Sequence, residues 1–428
     1  MERRHGLTLI VVLLLVSVLA SAAGAKVKLQ FMGWEASPLE TQSVMQGLEL
    51  FMKQNPDVEV EYIAGRWAEH HTKLLTMMAG GAAPDVFFMG AEPFYRDFQK
   101  RGVLYDITSL FDSELELDEF IPLDQEKMLI NGHIYGISSC IVCPVLYYNK
   151  NMFDEAGLPY PPHNPDQAWT WDEFLNVAKK LTLEKGGRTT QFGAYGFEGY
   201  WWPMVWSNQG EIFTEDYSRC ILADDANAQE ALQKQLDLRL VHGVAPDSSY
   251  MENIGMSAAQ MLQTGRVAML VDGSWALQEL SQMDFPVGVA PLPVFKVPAT
   301  SGTAHLHSIW KGTKHPEPAW RLVKFLSSKE YQIDLVRSGL WMPNRTEMYS
   351  ENGIKEWLDP MVYPPGFEEV IPFFTKYARP HPGIMVPKEA WDVLSEELDY
   401  FWHDNQDLDQ VLKRLTKRVN DILAAEAK

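Results

Sequence analysis

Tyr195, Phe197, Tyr200, Trp201, Trp202 and Trp206 fall within twelve residues of one another. That density of rings exceeds what an ordinary exposed loop carries. Sugars present apolar C–H faces that stack on aromatic rings, and their hydroxyls need side-chain hydrogen-bond partners. Glu198, Asn208 and Gln209 stand beside the rings and are candidates for that role. The competing use of the same rings is core packing. About half of them are expected in a core and the others along a cleft. Trp202 and Trp206 are four apart, so on a helix they share a face.

Other candidates are spread along the chain. Trp34, Trp67, Glu92 and Trp275 each follow a predicted strand or open a predicted helix, and Trp341 follows the helix expected over 329–338. Arg379, in Ala378-Arg379-Pro380, offers a planar, multi-donor grip on hydroxyls or a carboxylate, with a surface salt bridge as the alternative. His70 and His71 point about 100° apart on a helix and make poor co-ligands. His305 and His307 share a strand face. A metal there lacks an evident third or fourth ligand, and one of the pair is a candidate hydrogen-bonding group for a ligand. No dinucleotide or phosphate-loop glycine pattern and no HExxH is present, so no cofactor and no metal is expected.

These residues need two α/β bodies to position them. Val27, Leu29 and Phe31 alternate with Lys26, Lys28 and Gln30, which is a strand period. Ser37-Pro38-Leu39-Glu40 opens a helix that Asn55-Pro56 stops. Val58, Val60 and Tyr62 form a second strand, 67–79 a second helix, and 85–89 a third, buried strand. This βαβαβ order implies parallel pairing with helices on both faces. The same grammar returns later: helix 226–241, a short capped helix 257–264, strand 266–271, and a Gly273-Ser274-Trp275 turn into another helix. Residues 285–297 carry three prolines and read as an extended crossing between lobes. Helices follow at 316–326 and 329–338, and an amphipathic helix with Val411, Leu412, Leu415, Val419, Ile422 and Leu423 closes the chain. Ligands of such sheets sit beyond the carboxyl ends of strands, so two facing lobes make a cleft lined by post-strand loops.

Residues 1–25 read as a secretory signal: Arg3 and Arg4, an apolar run from Leu7 to Leu19, then Ala23-Gly24-Ala25 as a small-x-small cleavage site. The run is short for a bilayer core of about 30 Å, which argues against a retained anchor. With no cysteine near the cleavage site, a lipid-anchored form is not expected. The expectation is an exported, periplasmic chain starting near Lys26, a monomer of two or three domains. Its formal charge of −20 grows more negative without the signal, which argues against nucleic acid and anionic lipid as partners. Cys140 and Cys143 lie in strand-like sequence. Three strand residues span roughly 10 Å, beyond disulfide reach, so buried structural thiols are expected of the three cysteines.

Several segments, in order, resemble one family. Tyr147-Tyr148-Asn149-Lys150-Asn151-Met152-Phe153-Asp154-Glu155-Ala156-Gly157-Leu158-Pro159, followed by Thr170-Trp171-Asp172-Glu173-Phe174, resembles the extracellular solute-binding proteins, family 1. These are the carbohydrate-capturing subunits of bacterial ABC importers, the group that includes maltose-binding protein. Phe51 to Val58, Lys73 to Val86, Asn131 to Ile137, Gly265 to Met269 with Gly273-Ser274-Trp275, and Gly312 to Trp320 are similar to further pieces of the family pattern. Ser138 departs from a usual proline, the 160–168 loop is longer than usual, and His305-Leu306-His307 replaces a glycine-rich or aromatic stretch.

The resemblance implies an α/β, two-lobed periplasmic-binding-protein fold (type II), each lobe a mixed, mostly parallel sheet flanked by helices, with a ligand cleft between. The implied division is 26–140 plus 290–342 for the N-terminal lobe and 141–289 plus 343–428 for the C-terminal lobe. By analogy it carries Trp34, Glu35, Glu92, Gly273, Trp275 and Arg379 into the ligand site. Together with Trp67, Trp201, Trp202, Trp206, Asn208, His305, His307 and Trp341 these form the expected ligand-binding set. The function implied is capture of a sugar, oligosaccharide or related polyol derivative by lobe closure and delivery to the ABC permease membrane subunits, without catalysis. A secreted glycoside hydrolase or lyase is the alternative, and it needs two carboxylates across a scissile bond.

Overall fold

The structure, a computed structural model, describes residues 26–35, 38–90, 93–403 and 406–426. The expected signal, Ser37 as a helix cap, and Glu92 lie outside the described residues.

Thirteen strands are found among the described residues: β1 (Val27–Trp34), β2 (Val58–Gly65), β3 (Val86–Gly90), β4 (Leu129–Ile130), β5 (His133–Ile134), β6 (Gly136–Val142), β7 (Pro144–Asn149), β8 (Leu183–Lys185), β9 (Arg188–Tyr195), β10 (Val267–Gly273), β11 (Val287–Ala290), β12 (Thr300–Ile309) and β13 (Ala378–Pro380). They form two main sheets. The first runs β13-β12-β3-β1-β2, with β6 also paired to β12; the second runs β11-β7-β10-β9-β8. In the first, β1 pairs in parallel with β2 and β3, as the βαβαβ reading requires. In the second, only β9 and β10 are parallel, because β7 and β11 carry the chain into and out of the lobe and run antiparallel to their neighbours.

Two large apolar cores correspond to the sheets. One centres on Phe31, Phe87, Phe88, Trp320 and Trp341, the other on Tyr147, Tyr148, Phe174, Leu270 and Trp357. A third cluster joins Trp201, Leu232 and Leu398 to the closing helix Leu408–Glu426, whose Val411, Leu412, Leu415, Val419 and Leu423 are its buried stripe. Strand β1 alternates only at its start. From Phe31 on it is buried on both faces, where β3 joins it at Phe31–Val86 and Met32–Phe87.

Local chemistry explains the ends of the elements. Asn149 accepts the Asn151 N–H at 3.1 Å to cap the helix Lys150–Ala156, and Gly157 ends that helix at φ +63°, where a side chain would be strained. Thr170 and Glu173 form a reciprocal capping box.

The chain passes between the lobes from β6 to β7 and from β11 to β12, and Met342 exchanges two backbone hydrogen bonds of 3.0 Å with Ile141. Strand β13 pairs in parallel with the start of β12, adding an edge to the first sheet. Ser138, the departure from proline, is used in this region. Its hydroxyl donates to Asp124 at 2.6 Å, Asp124 forms a fully buried ion pair with Lys127 at 2.9 Å, and the Ser138 carbonyl accepts from Asn344 at 2.6 Å. Cys140, Cys143 and Cys220 are free and buried, and burial pushes their thiols up, to about 12 for Cys143.

Candidate functional site

A cavity of about 590 Å³ lies where the two sheets face each other, within the usual size range for small-molecule sites. Its first wall comes from loops that follow β1 and β3. Trp34, at the end of β1, is only 4% exposed and stands edge-on to His305 at 4.6 Å, to His70 at 5.1 Å and to Phe88 at 5.1 Å. His305 in turn meets the edge of Trp341 at 5.0 Å. Adjacent on their helix, His70 and His71 do divide their tasks. His70 Nε2 donates to the Phe88 carbonyl at 2.7 Å, while His71 Nε2 accepts the Gly90 N–H at 3.1 Å. Both therefore fix the end of β3. The His71 ring lies flat on Phe94 at 3.7 Å, which presents Phe94 to the cavity. Trp67, 54% exposed, forms the rim.

Burial drives every imidazole here toward its neutral form: His70 is pushed down to about 4, His305 to about 3, and His71 and His307 well below their ordinary range. A neutral imidazole both donates and accepts, which suits hydroxyls rather than anions.

The second wall is assembled from distant segments. Tyr200, at the start of the helix Trp201–Ser207, donates its hydroxyl to Asp272 at 3.1 Å. Trp202 meets the edge of His381 at 4.5 Å, and His381 meets Trp391 at 4.7 Å. Burial also lowers His381 to about 3, and its Nδ1 accepts the Gly383 N–H. Trp275 packs against both lobe cores. Its ring lies so close over the preceding turn that a Cβ at Gly273 would come within 2.1 Å of it, so glycine is required there. The Gly273 carbonyl accepts the Tyr147 hydroxyl at 3.0 Å, which holds the turn.

Of the expected set, Trp34, Trp67, Trp202, Trp275, His305 and Trp341 line this cavity. The others do not. Trp201 is 5% exposed in the third core cluster, and His307 is fully buried between Phe31 and Phe88. Asn208 is buried and spends its amide on the Asn227 carbonyl and Glu230. Gly273 serves the turn, and exposed Glu35 accepts from Thr41 beside the site. Arg379 grips Glu211 with two hydrogen bonds of 2.9 Å and lies 4.4 Å over the Trp206 ring. With Trp206 it lines a neighbouring cavity of about 340 Å³. Trp202 and Trp206 thus share the helix face toward 379–382 yet open onto different cavities. Among the described residues no group of three or more His, Cys, Asp or Glu is arranged to hold a metal ion.

Sequence reasoning missed Phe94, His381 and Trp391. Phe94 opens the short helix Phe94–Lys100. His381 and Trp391 arrive from a tail whose return to the first sheet through β13 carries no local signal, although His381 stands two residues from Arg379.

Residues 36–333 match the bacterial extracellular solute-binding protein family, and the chain belongs to it. Its relatives include an uncharacterized lipoprotein from Streptomyces antibioticus, 32% identical over 81% of this chain and 77% of that protein. A maltotriose-binding protein of Pyrococcus abyssi is 23% identical over 89% of this chain and 80% of its own length. Among solved structures, an ABC substrate-binding protein from Listeria monocytogenes in complex with cycloalternan superposes with a TM-score of 0.83 at 23% identity, covering 93% of this chain and 99% of that one. A maltose-bound T. maritima MalE3 gives 0.76 at 25% identity, with 92% and 100% covered. The two-lobed fold is therefore that of sugar-binding ABC substrate-binding proteins.

Proposed function

We propose that this chain is the substrate-binding subunit of an ABC importer and captures an uncharged saccharide between its lobes. The observation that carries this reading is the cavity lined from both lobes by flat rings: Trp34 and Trp341 on one side, Tyr200 and Trp202 on the other, with Trp275 between. Ring faces supply C–H stacking, and neutral imidazoles such as His305 supply hydroxyl partners. Arg379, the residue best suited to an anion, is already held by Glu211, which favours a neutral ligand over a phosphorylated polyol. Maltotriose, maltose and cycloalternan, bound by the relatives named above, are of this class.

A ligand bridging both walls stabilises the closed arrangement by its differential contacts, so hinge closure is the working step. The lobes we propose are 26–140 with 290–342 and 141–289 with 343–428, apart from β13, and the mature chain is exported. No covalent chemistry is invoked. Of the two acidic groups on the cavity wall among the described residues, Glu40 is buried and Asp392 pairs with Lys388.

The test is a thermal-shift screen of the mature chain over neutral mono-, di- and oligosaccharides, polyols and phosphorylated polyols, followed by small-angle scattering with the best hit. A tight ligand at a hundredfold excess over its Kd stabilises by about 2.7 kcal/mol. Stabilisation by a neutral saccharide with compaction supports the reading. Binding confined to phosphorylated ligands, or turnover of a chromogenic glycoside, overturns it.

A further inference from the structure

Arginine is almost always answered in this protein. Among the described residues every arginine either forms an ion pair or is exposed, except Arg96. Arg96 lies on the helix Phe94–Lys100, next to Tyr95 of the first core. It is part-buried, and its Nε is cut off from solvent without a hydrogen-bond partner. Burial weakens its hold on the proton, and the Tyr95 hydroxyl, not a carboxylate, is what opposes that. Acidic residues outnumber Lys and Arg by 57 to 37, so a guanidinium left without a carboxylate is the exception here. A charge drawn partly out of water calls for a counter-charge.

Arg96 lines a recess of about 540 Å³ beside the saccharide cleft. One side is the helix Phe94–Lys100 with the β4–β5 hairpin. The other is residues 385–387 and the start of the helix Lys388–Trp402, whose Ala390 belongs to the third core cluster. The remaining cations of the recess are spent: Lys100 on Glu426, Arg101 on Asp97 at 2.8 Å, and Lys388 on Asp392. Glu389 is exposed. The helix Lys388–Trp402 begins at Pro387 with no side-chain cap on its first turn. Two unanswered features therefore share one recess, a guanidinium and an uncapped start of a 15-residue helix. Both favour an anion. A carboxylate spends its two oxygens on the guanidinium fork, whereas a tetrahedral oxyanion keeps further oxygens for the helix amides.

We propose that this recess is an anion site that holds a phosphate-type oxyanion between Arg96 and the start of the helix Lys388–Trp402, and that the bound anion favours closure. Its two sides pack in different cores, and each also reaches the saccharide cleft, one through Phe94 and the other through Trp391. An anion between them ties together the segments that a saccharide bridges. The anion site stands without the saccharide reading; its effect on closure rests on that reading.

The experiment is calorimetric titration of the mature chain with sodium phosphate, in chloride buffer without saccharide, on the unaltered protein, Arg96→Gln and Arg96→Lys. One phosphate per chain is expected, bound about tenfold or more weakly by Arg96→Gln. Arg96→Lys keeps the charge but not the fork and should fall between the two. In chloride alone Arg96→Gln should melt level with or above the unaltered protein, because an unanswered charge has gone. Absence of phosphate binding, or equal binding by all three proteins, overturns the site. A lowered melting temperature with phosphate binding intact does the same and assigns Arg96 to structure. Should Arg96→Gln fold poorly, Arg96→Lys decides: weakened binding supports the site and undiminished binding overturns it. Glycerol phosphate, titrated in parallel, identifies an esterified occupant if it binds more tightly than phosphate and the free ion if it does not. A neutral saccharide should then bind about fivefold more tightly with phosphate present, and Arg96→Gln should lose that gain. Phosphate binding without the gain refutes the link to closure and leaves the site. If no neutral saccharide binds, the main-cleft reading fails, and the phosphate titrations still decide the anion site.

Discussion

The two walls of the cleft are made by different means. In the first, Trp34, His305 and Trp341 belong to one continuous core, and His70 and His71 bolt the end of β3 in place by hydrogen bonds to the Phe88 carbonyl and the Gly90 amide. In the second, Tyr200, Trp202, Trp275, His381 and Trp391 come from four stretches of chain and are held by isolated polar anchors such as Tyr200 to Asp272. The first wall is thus inseparable from the stability of its lobe, whereas the second draws part-buried rings from the edges of two core clusters. Binding and folding should separate accordingly.

The largest effect falls on the first wall. Trp341 is 1% exposed, and Trp341→Ala removes a ring packed between His305 and Phe88. A loss of about 3–5 kcal/mol in urea unfolding is expected, together with loss of saccharide binding. A variant with unchanged stability would show that the wall is no part of the core.

Next comes acidity. Burial holds His70 at about 4 and His305 and His381 at about 3, against about 6.5 in an unfolded chain. Below pH 6.5 the unfolded chain takes up protons that the folded chain refuses. Stability is therefore full above that value and declines as pH falls toward the folded values. Each tenfold difference in proton affinity is worth about 1.4 kcal/mol, so the decline amounts to several kcal/mol over the window. Urea unfolding at pH 7.5 and 5.5 reads it. Saccharide affinity, by contrast, should be flat from pH 8 to 5.5, because the imidazoles facing the ligand stay neutral. A stability profile level across that interval would remove the argument for a neutral wall.

The second wall predicts a split between neighbours. Trp202→Ala strips a ring that is only part-buried and lines the cleft, so affinity should fall about tenfold to hundredfold. Trp206→Ala, one turn on, should leave short saccharides bound as before, since that ring stacks under Arg379 in the neighbouring cavity. Equal losses from the two would merge the cavities into one site.

What the sequence disclosed follows the same division. Elements whose signals are local were legible: the capping box at Thr170 and Glu173, the stop at Gly157, and the helix Pro316–Leu326. So were Trp34, Trp67 and Trp341 of the first wall, though not Phe94, because Trp34 ends a strand whose start alternation marks. The second wall was legible only in part. The density of rings over 195–206 identified the segment, but Trp201 turns into the core, Trp202 to the cleft and Trp206 to its neighbour, and that choice depends on where 379–391 returns. His381 and Trp391 reach the cleft through β13 pairing with β12, a contact between residues nearly eighty apart in sequence. The arginine carried over by resemblance found its carboxylate inside the protein, in Glu211, which spacing does not reveal.

The smallest effect belongs to Trp67, and it tests whether the first wall ends where its core ends. More than half of this side chain is in solvent at the start of its helix, and it touches Phe94 edge-on at 6.5 Å. Substitution of so exposed a residue changes stability by no more than about 0.5 kcal/mol. Its position on the rim still places ring surface within reach of a ligand spanning both lobes. Trp67→Ala should therefore leave the urea midpoint in place while weakening saccharide binding a few-fold, read by calorimetry. A large fall in stability would extend the core to the rim and erase the contrast between the walls. Unchanged affinity would confine ligand contact to the interior rings Trp34 and Trp341, and the opening at the rim would then serve entry alone.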